Sequence, residues 1–101
     1  NITAYSDARK KTNIKTIKSA LNKVLDLRGV TYNKINIDKT ISDKTEIGVI
    51  AQEVEKVVPE VVTYAEDVDQ YGVSYGNLAG LFIEAIKELK IELNELKASL
   101  A

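Results

Sequence analysis

Leu78, Phe82, Ala85, Leu89, Leu93, Leu96 and Leu100 stand 4, 3, 4, 4, 3 and 4 residues apart in the last quarter of the chain. That spacing predicts one helix over residues 77–100, about 36 Å long at the helical rise. The period is eleven residues: position 78 recurs at 89 and 100, 82 at 93, and 85 at 96. A heptad would supercoil left-handed, whereas a hendecad relaxes or reverses the coil. The stripe runs past any point where a small domain could cover it. From Leu89 onward the helix is expected to need partner helices, self-association being the economical choice. The competing reading is an amphipathic helix lying wholly on its own domain.

Upstream, the pattern is shorter-ranged. Residues 1–15 show no sustained periodicity and read as an extended arm or loop. Ile17, Leu21, Val24 and Leu25 recur at helical spacing, predicting a helix from Thr16 or Ser19 to Arg28, with Ser19 as N-cap and Gly29 at the stop. Val30–Ile37 alternates as a strand. Residues 38–45 are polar and turn-prone and read as a loop open to insertion. A second helix is expected over Glu46–Val57, with Ile47, Ile50, Ala51, Val54 and Val58 as its stripe and Pro59 as its end. Residues 61–64 and 71–75 read as a hairpin around Glu66-Asp67-Val68-Asp69. Three carboxylates there invite a calcium reading, but the EF-hand spacing and glycine are missing, and a solvated tip is the better account.

The composition narrows the possibilities. A 101-residue chain is one modest domain, and its net charge of −1 argues against nucleic acid or an anionic membrane surface as partner. No apolar run approaches the ~20 residues of a membrane span. The chain lacks methionine altogether and begins at Asn1, which leads us to expect a piece excised from a longer protein, its end where the long helix ends.

With no histidine and no cysteine, a Ser-His-Asp triad, a thiolate nucleophile and a Cys/His zinc site are all excluded. Hydroxyls, carboxylates and lysine amines remain. Ser6-Asp7-Ala8-Arg9-Lys10-Lys11 places a hydroxyl and an amine five positions apart, and a Ser–Lys pair is one variant of triad logic. The same Ser-Asp before a run of cations also describes a helix N-cap or solvated turn. No Gly-rich phosphate loop is present, since Gly72 and Gly76 match no such pattern, and neither a cofactor nor a metal is expected.

Several blocks in one order carry a resemblance. They are Ser6-Asp7-x-Arg9-x-Lys11, Ala20-Leu21 through Leu27-Arg28-Gly29-Val30-x-Tyr32, and Ile47-Gly48-Val49-Ile50-Ala51-Gln52-Glu53-Val54. They continue with Val57-x-Pro59-Glu60-Val61-Val62, Val73-x-Tyr75-x-x-Leu78 and Glu84-Ala85-Ile86-Lys87-Glu88-Leu89. From about Ser6 to Leu96 the chain resembles the endosialidase-type intramolecular chaperone domain at the C-terminus of phage tailspikes, tail fibres and neck appendages.

The resemblance implies an α+β fold: two short helices, a few antiparallel strands including a hairpin, and a long last helix forming a trimeric bundle. It divides the chain into an arm with a self-cleavage site (1–15), an α+β body (16–76) and a trimerisation helix (77–101). It implies a homotrimer that assists folding of a β-rich stalk upstream in its own polypeptide, then cuts itself free between Tyr5 and Ser6. Ser6 would be the nucleophile and Lys11 the base, with Asp7, Arg9, Gln52 and Glu53 in support. The seven stripe residues, Leu78 to Leu100, would form the trimer interface. The setting implied is virion assembly in the host cytoplasm, with the domain released from the mature particle. Where some family members add a histidine, this chain has none, which favours the bare dyad. To take the hydroxyl proton Lys11 must be neutral, whereas a lysine amine ordinarily titrates near 10.4; burial at a trimer interface beside Arg9 and Lys10 would act in the required direction. A non-cleaving trimerisation module and a receptor-binding fibre tip are the alternatives.

Overall fold

Backbone pairing in two separate hairpins and one long helix organise the chain, described by the computed structural model over residues 3–101. The first two residues of the expected arm lie outside that range. Three helices, α1 (Ala20–Leu25), α2 (Ala51–Glu55) and α3 (Leu78–Ser99), combine with four strands, β1 (Val30–Ile35), β2 (Ile41–Gly48), β3 (Val62–Ala65) and β4 (Gln70–Val73). β1 pairs antiparallel with β2 and β3 with β4, as two two-stranded sheets. The class is α+β with a long last helix, as expected.

The core is small. Ala20 of α1, Val54 of α2, Val58, Val61, and Leu78, Leu81 and Ala85 of α3 are buried together. Val58 N–H still bonds to Val54 C=O at 2.7 Å, so the α2 turn continues until Pro59 opens a 3-10 turn over Pro59–Val61. The β3–β4 hairpin packs the Tyr64 and Tyr71 rings 5.0 Å apart across the sheet. The Tyr64 hydroxyl donates to Asp69 in its acidic tip, which stands exposed.

Three expectations are corrected. The polar segment 41–45 is strand and not loop, and Glu46–Gly48 belong to β2 and not to a helix. The Val30↔Gly48, Thr31↔Ile47 and Tyr32↔Glu46 pairs hold them. Pairing with β1 overrides a polar sequence here, and Ile47, expected on a helix stripe, points to solvent. The loop shrinks to Asn36–Thr40. Asp38 Oδ1 accepts from Thr40 N–H at 3.0 Å, and the Asn33 amide donates to the Ser42 and Lys44 carbonyls where the register slips. Gly29 is not a left-handed C′ residue. α1 stops at Leu25 with Asp26 as C-cap, and no glycine has positive φ. Ser19 stands at the N-cap position of α1 but makes no side-chain cap bond.

The expected stripe of α3 is covered only over its first two turns, where Leu81 joins it. Leu78, Leu81 and Ala85 turn inward onto the body, whereas Phe82, Leu89, Leu93, Leu96 and Leu100 stay exposed. The chain exposes 8817 Å², where a compact monomer of its mass would expose roughly 5,700 Å². Its radius of gyration is 17.6 Å against about 13 Å for a compact chain of this length. Much of the excess lies in the arm, in the β1–β2 hairpin and in the part of α3 beyond Ala85.

Candidate active site

Residues 3–19 form no helix or strand apart from a 3-10 turn over Ala8–Lys10. Asp7 is the N-cap of that turn. Its Oδ1 accepts from Arg9 N–H at 2.9 Å, and its carboxylate also takes the Arg9 guanidinium, Nη2 to Oδ2 at 2.9 Å. The bidentate Arg9 partner holds the Asp7 carboxyl below the usual carboxylate range. The turn has a geometric consequence. It folds the chain back so that Lys11 Nζ lies 2.6 Å from Ser6 Oγ and donates to it. The capping reading and the Ser–Lys reading therefore describe one object, in which Asp7 and Arg9 make the turn that brings Ser6 and Lys11 together.

This arrangement stands in solvent. Tyr5, Ser6, Asp7, Arg9 and Lys11 are all exposed. A hydroxyl and an amine at hydrogen-bond distance are the reach that nucleophile activation requires. Activation would need the bond to reverse, with a neutral amine accepting from the Ser6 hydroxyl.

Gln52 and Glu53 lie elsewhere. Glu53 forms a two-point ion pair with Arg28, Oε2 to Nη2 at 2.6 Å, which holds its carboxyl below the usual range. Gln52 lines an open cleft of about 940 Å³ between the two hairpins, whose walls include Tyr32, Tyr71 and Tyr75. Among the described residues neither shares a hydrogen bond, an ion pair or a cleft with Ser6 or Lys11.

Two residues that tie elements together carried weak signals in the sequence. Glu88, on the inward face of α3, accepts the Ala20 and Leu21 N–H groups and so fixes the helix at the root of the arm. A carboxylate three residues after Ala85 on a buried face was the available signal. Tyr75 Oη accepts from Val49 N–H at 3.2 Å across the cleft. No helix among the described residues is long and apolar enough to cross a membrane.

A family model described as chaperone of endosialidase matches residues 6–63. The chain is 37% identical, over 99% of its length, to long tail fiber protein Gp37 of Enterobacteria phage K3. It is 40% identical over 94% of its length to Gp37 of Enterobacteria phage M1, and 31% identical over 99% to Gp37 of Salmonella phage S16. It spans 8%, 39% and 14% of those proteins respectively.

Proposed function

The chain belongs to the chaperone of endosialidase family, peptidase family S74, and from that membership we propose a self-releasing intramolecular chaperone of a phage tail fibre. It trimerises through α3, assists folding of a β-rich stalk upstream in its own polypeptide, and then cuts the Tyr5–Ser6 bond. One observation carries the catalytic part. The Ser6–Lys11 contact of 2.6 Å lies where the family match begins, at Ser6.

In the proposed reaction Ser6 Oγ attacks the Tyr5 carbonyl carbon while Lys11 Nζ, as neutral amine, takes the hydroxyl proton. The peptide C–N bond breaks, the proton passes to the departing Ser6 nitrogen, and an ester joins Tyr5 to Ser6 Oγ. Water hydrolyses the ester, leaving a Tyr5 carboxylate and a free Ser6 hydroxyl. Each chain turns over once. Burial of a lysine amine beside cations such as Arg9 and Lys10 favours its neutral form, so assembly would switch the cut on.

The chaperone role has its own physics. Non-local strands that must meet in register form slowly and expose edges that aggregate. A fast-forming helical trimer raises their effective concentration and sets their stagger. Phe82, Leu89, Leu93, Leu96 and Leu100, exposed on one chain, supply the apolar face for that trimer. The same uncovered face favours a second reading, a permanent trimerisation module that never cuts.

The deciding experiment is the intact mass of the full fibre polypeptide for wild type, Ser6→Ala and Lys11→Ala. A fragment beginning at Ser6 from wild type alone is the expected result. A trimeric wild type of undiminished length would establish the permanent module instead.

A further inference from the structure

We propose that the extended arm of one copy docks as a strand in the cleft between β1 and β4 of a second copy, where it meets Gln52. The docking deepens the self-cleaving trimer reading and rests on it.

The cleft is built to receive a strand. β1 and β4 each pair on one side only, and both line the same opening. An unpaired strand edge is a template for another extended chain. The arm is such a chain. Asp7 (φ −80°, ψ 128°) and Lys11 (φ −125°, ψ 147°) are extended on either side of the short turn. Residues 3–6 and 12–18 make no backbone hydrogen bond among the described residues. Tyr5 and Ile14 stand in solvent.

Charge favours the same pairing. Residues 3–18 carry five cations against the single carboxylate of Asp7, whereas residues 19–101 carry nine cations against fourteen carboxylates. Asp69 lines the cleft, Glu66 and Asp67 adjoin it at the hairpin tip, and the cation of the cleft, Arg28, is already engaged by Glu53.

A second copy is the occupant because the arm does not line its own cleft. Its root is held in a different cleft. There Ile17 Cδ1 lies 3.6 Å from where a Gly80 Cβ would stand, and residues 15–18 line the opening with Val58 and Leu81. Left-handed kinks at Asn13 (φ 53°) and Ser19 (φ 56°) bracket that root. None of residues 3–18 lines the cleft between β1 and β4. Docking on a neighbour brings Gln52 to the dyad, from which it is separate within one chain. A side-chain amide there is suited to donate to the oxyanion that forms on the Tyr5 carbonyl.

The absence of native cysteine makes the test direct. In a Ser6→Ala background, which keeps chains whole, one tagged chain carries Tyr5→Cys and a second carries Gln70→Cys. They are co-assembled and treated with a short bis-maleimide. A mixed dimer at twice the chain mass on a denaturing gel is expected, absent when Ser99→Cys replaces Gln70→Cys. No mixed dimer in an assembled sample overturns the docking. So does a chain carrying both cysteines that, diluted into cysteine-free chains, closes only on itself. In a second arm, Ser6→Ala chains are mixed with Gln52→Ala chains. Each alone stays uncut, and the mixture is expected to cut only the Gln52→Ala chain, whose intact Ser6 can reach a partner's Gln52. Wild-type cleavage separates the two readings: a cut without a cross-link removes the docking alone, and a cross-link without a cut removes the self-cleavage alone.

Discussion

Glu88 caps a helix that begins 68 residues before it: its carboxylate accepts from Ala20 N–H and Leu21 N–H, both at 3.0 Å. α1 is six residues long, far below the length at which an isolated helix holds in water. Ser19, at its N-cap, contributes no side-chain bond. The carboxylate from α3 therefore does the work of a local cap and ties the arm's root to the long helix. Glu88→Ala is expected to cost about 1–2 kcal/mol, as cap removals do. Glu88→Gln, which keeps one acceptor, should cost less. Urea unfolding followed by circular dichroism measures both, and an unchanged midpoint for Glu88→Ala would remove the capping role.

Periodicity made α3 and the β3–β4 hairpin legible, because both elements announce themselves locally. The Ser6–Lys11 pair was legible because the Asp7–Arg9 turn that creates it is also local. β2 was not. Its residues 42–46 are polar and acquire strand geometry only by pairing with β1, a tertiary effect that leaves no alternation to read. The inward turn of Leu81 beside an outward Phe82, and the end of cover beyond Ala85, also escaped a one-dimensional stripe. Leu81 and Phe82 are equally apolar neighbours, and only the position of α1 decides between them. Glu88 depended on that same choice of face.

Gly48 is constrained by a contact. A Cβ there would lie 2.7 Å from Tyr75 Oη, the atom that accepts from Val49 N–H. Gly48→Ala should push the phenol aside and cost that hydrogen bond. Tyr75→Phe removes the bond directly, at about 0.5–1.5 kcal/mol. Because losing the hydroxyl also relieves the clash, the double variant should be less destabilised than the two singles added together. A double-mutant cycle by thermal melting checks this, and strict additivity would show that the two residues do not share the contact.

Three paired carboxyls set the acid limit. Bonds from Arg9 to Asp7, from Thr40 to Asp38 and from Arg28 to Glu53 each hold a carboxyl below its ordinary range. A folded pKa below the unfolded one gives stability that is present in full above pH ~4 and lost as pH falls through the folded value. With no histidine to titrate between pH 5 and 8, the melting temperature should be nearly flat across that interval and fall below pH 4. Glu53→Gln should make the acid fall shallower. A fall as steep as that of wild type would discount the Arg28 pair.

In the proposed trimer the exposed residues of α3 serve assembly and not folding, and through them the proposed switch can be tested. Leu93 and Leu96 are 42% and 57% exposed on one chain, so Leu93→Lys with Leu96→Lys should leave the α+β body folded by circular dichroism. Light scattering should nevertheless report a smaller assembly. Leu81→Ala, at 3% exposure, should instead cost about 2–5 kcal/mol of stability. The charged α3 variant retains Ser6, Lys11 and the Asp7–Arg9 turn, all of which are local to the arm. If burial in the assembly is what neutralises the Lys11 amine, this variant keeps the dyad yet leaves the Tyr5–Ser6 bond intact by mass. A dissociated chain that cuts as fast as wild type would place activation within the single chain and remove the assembly switch.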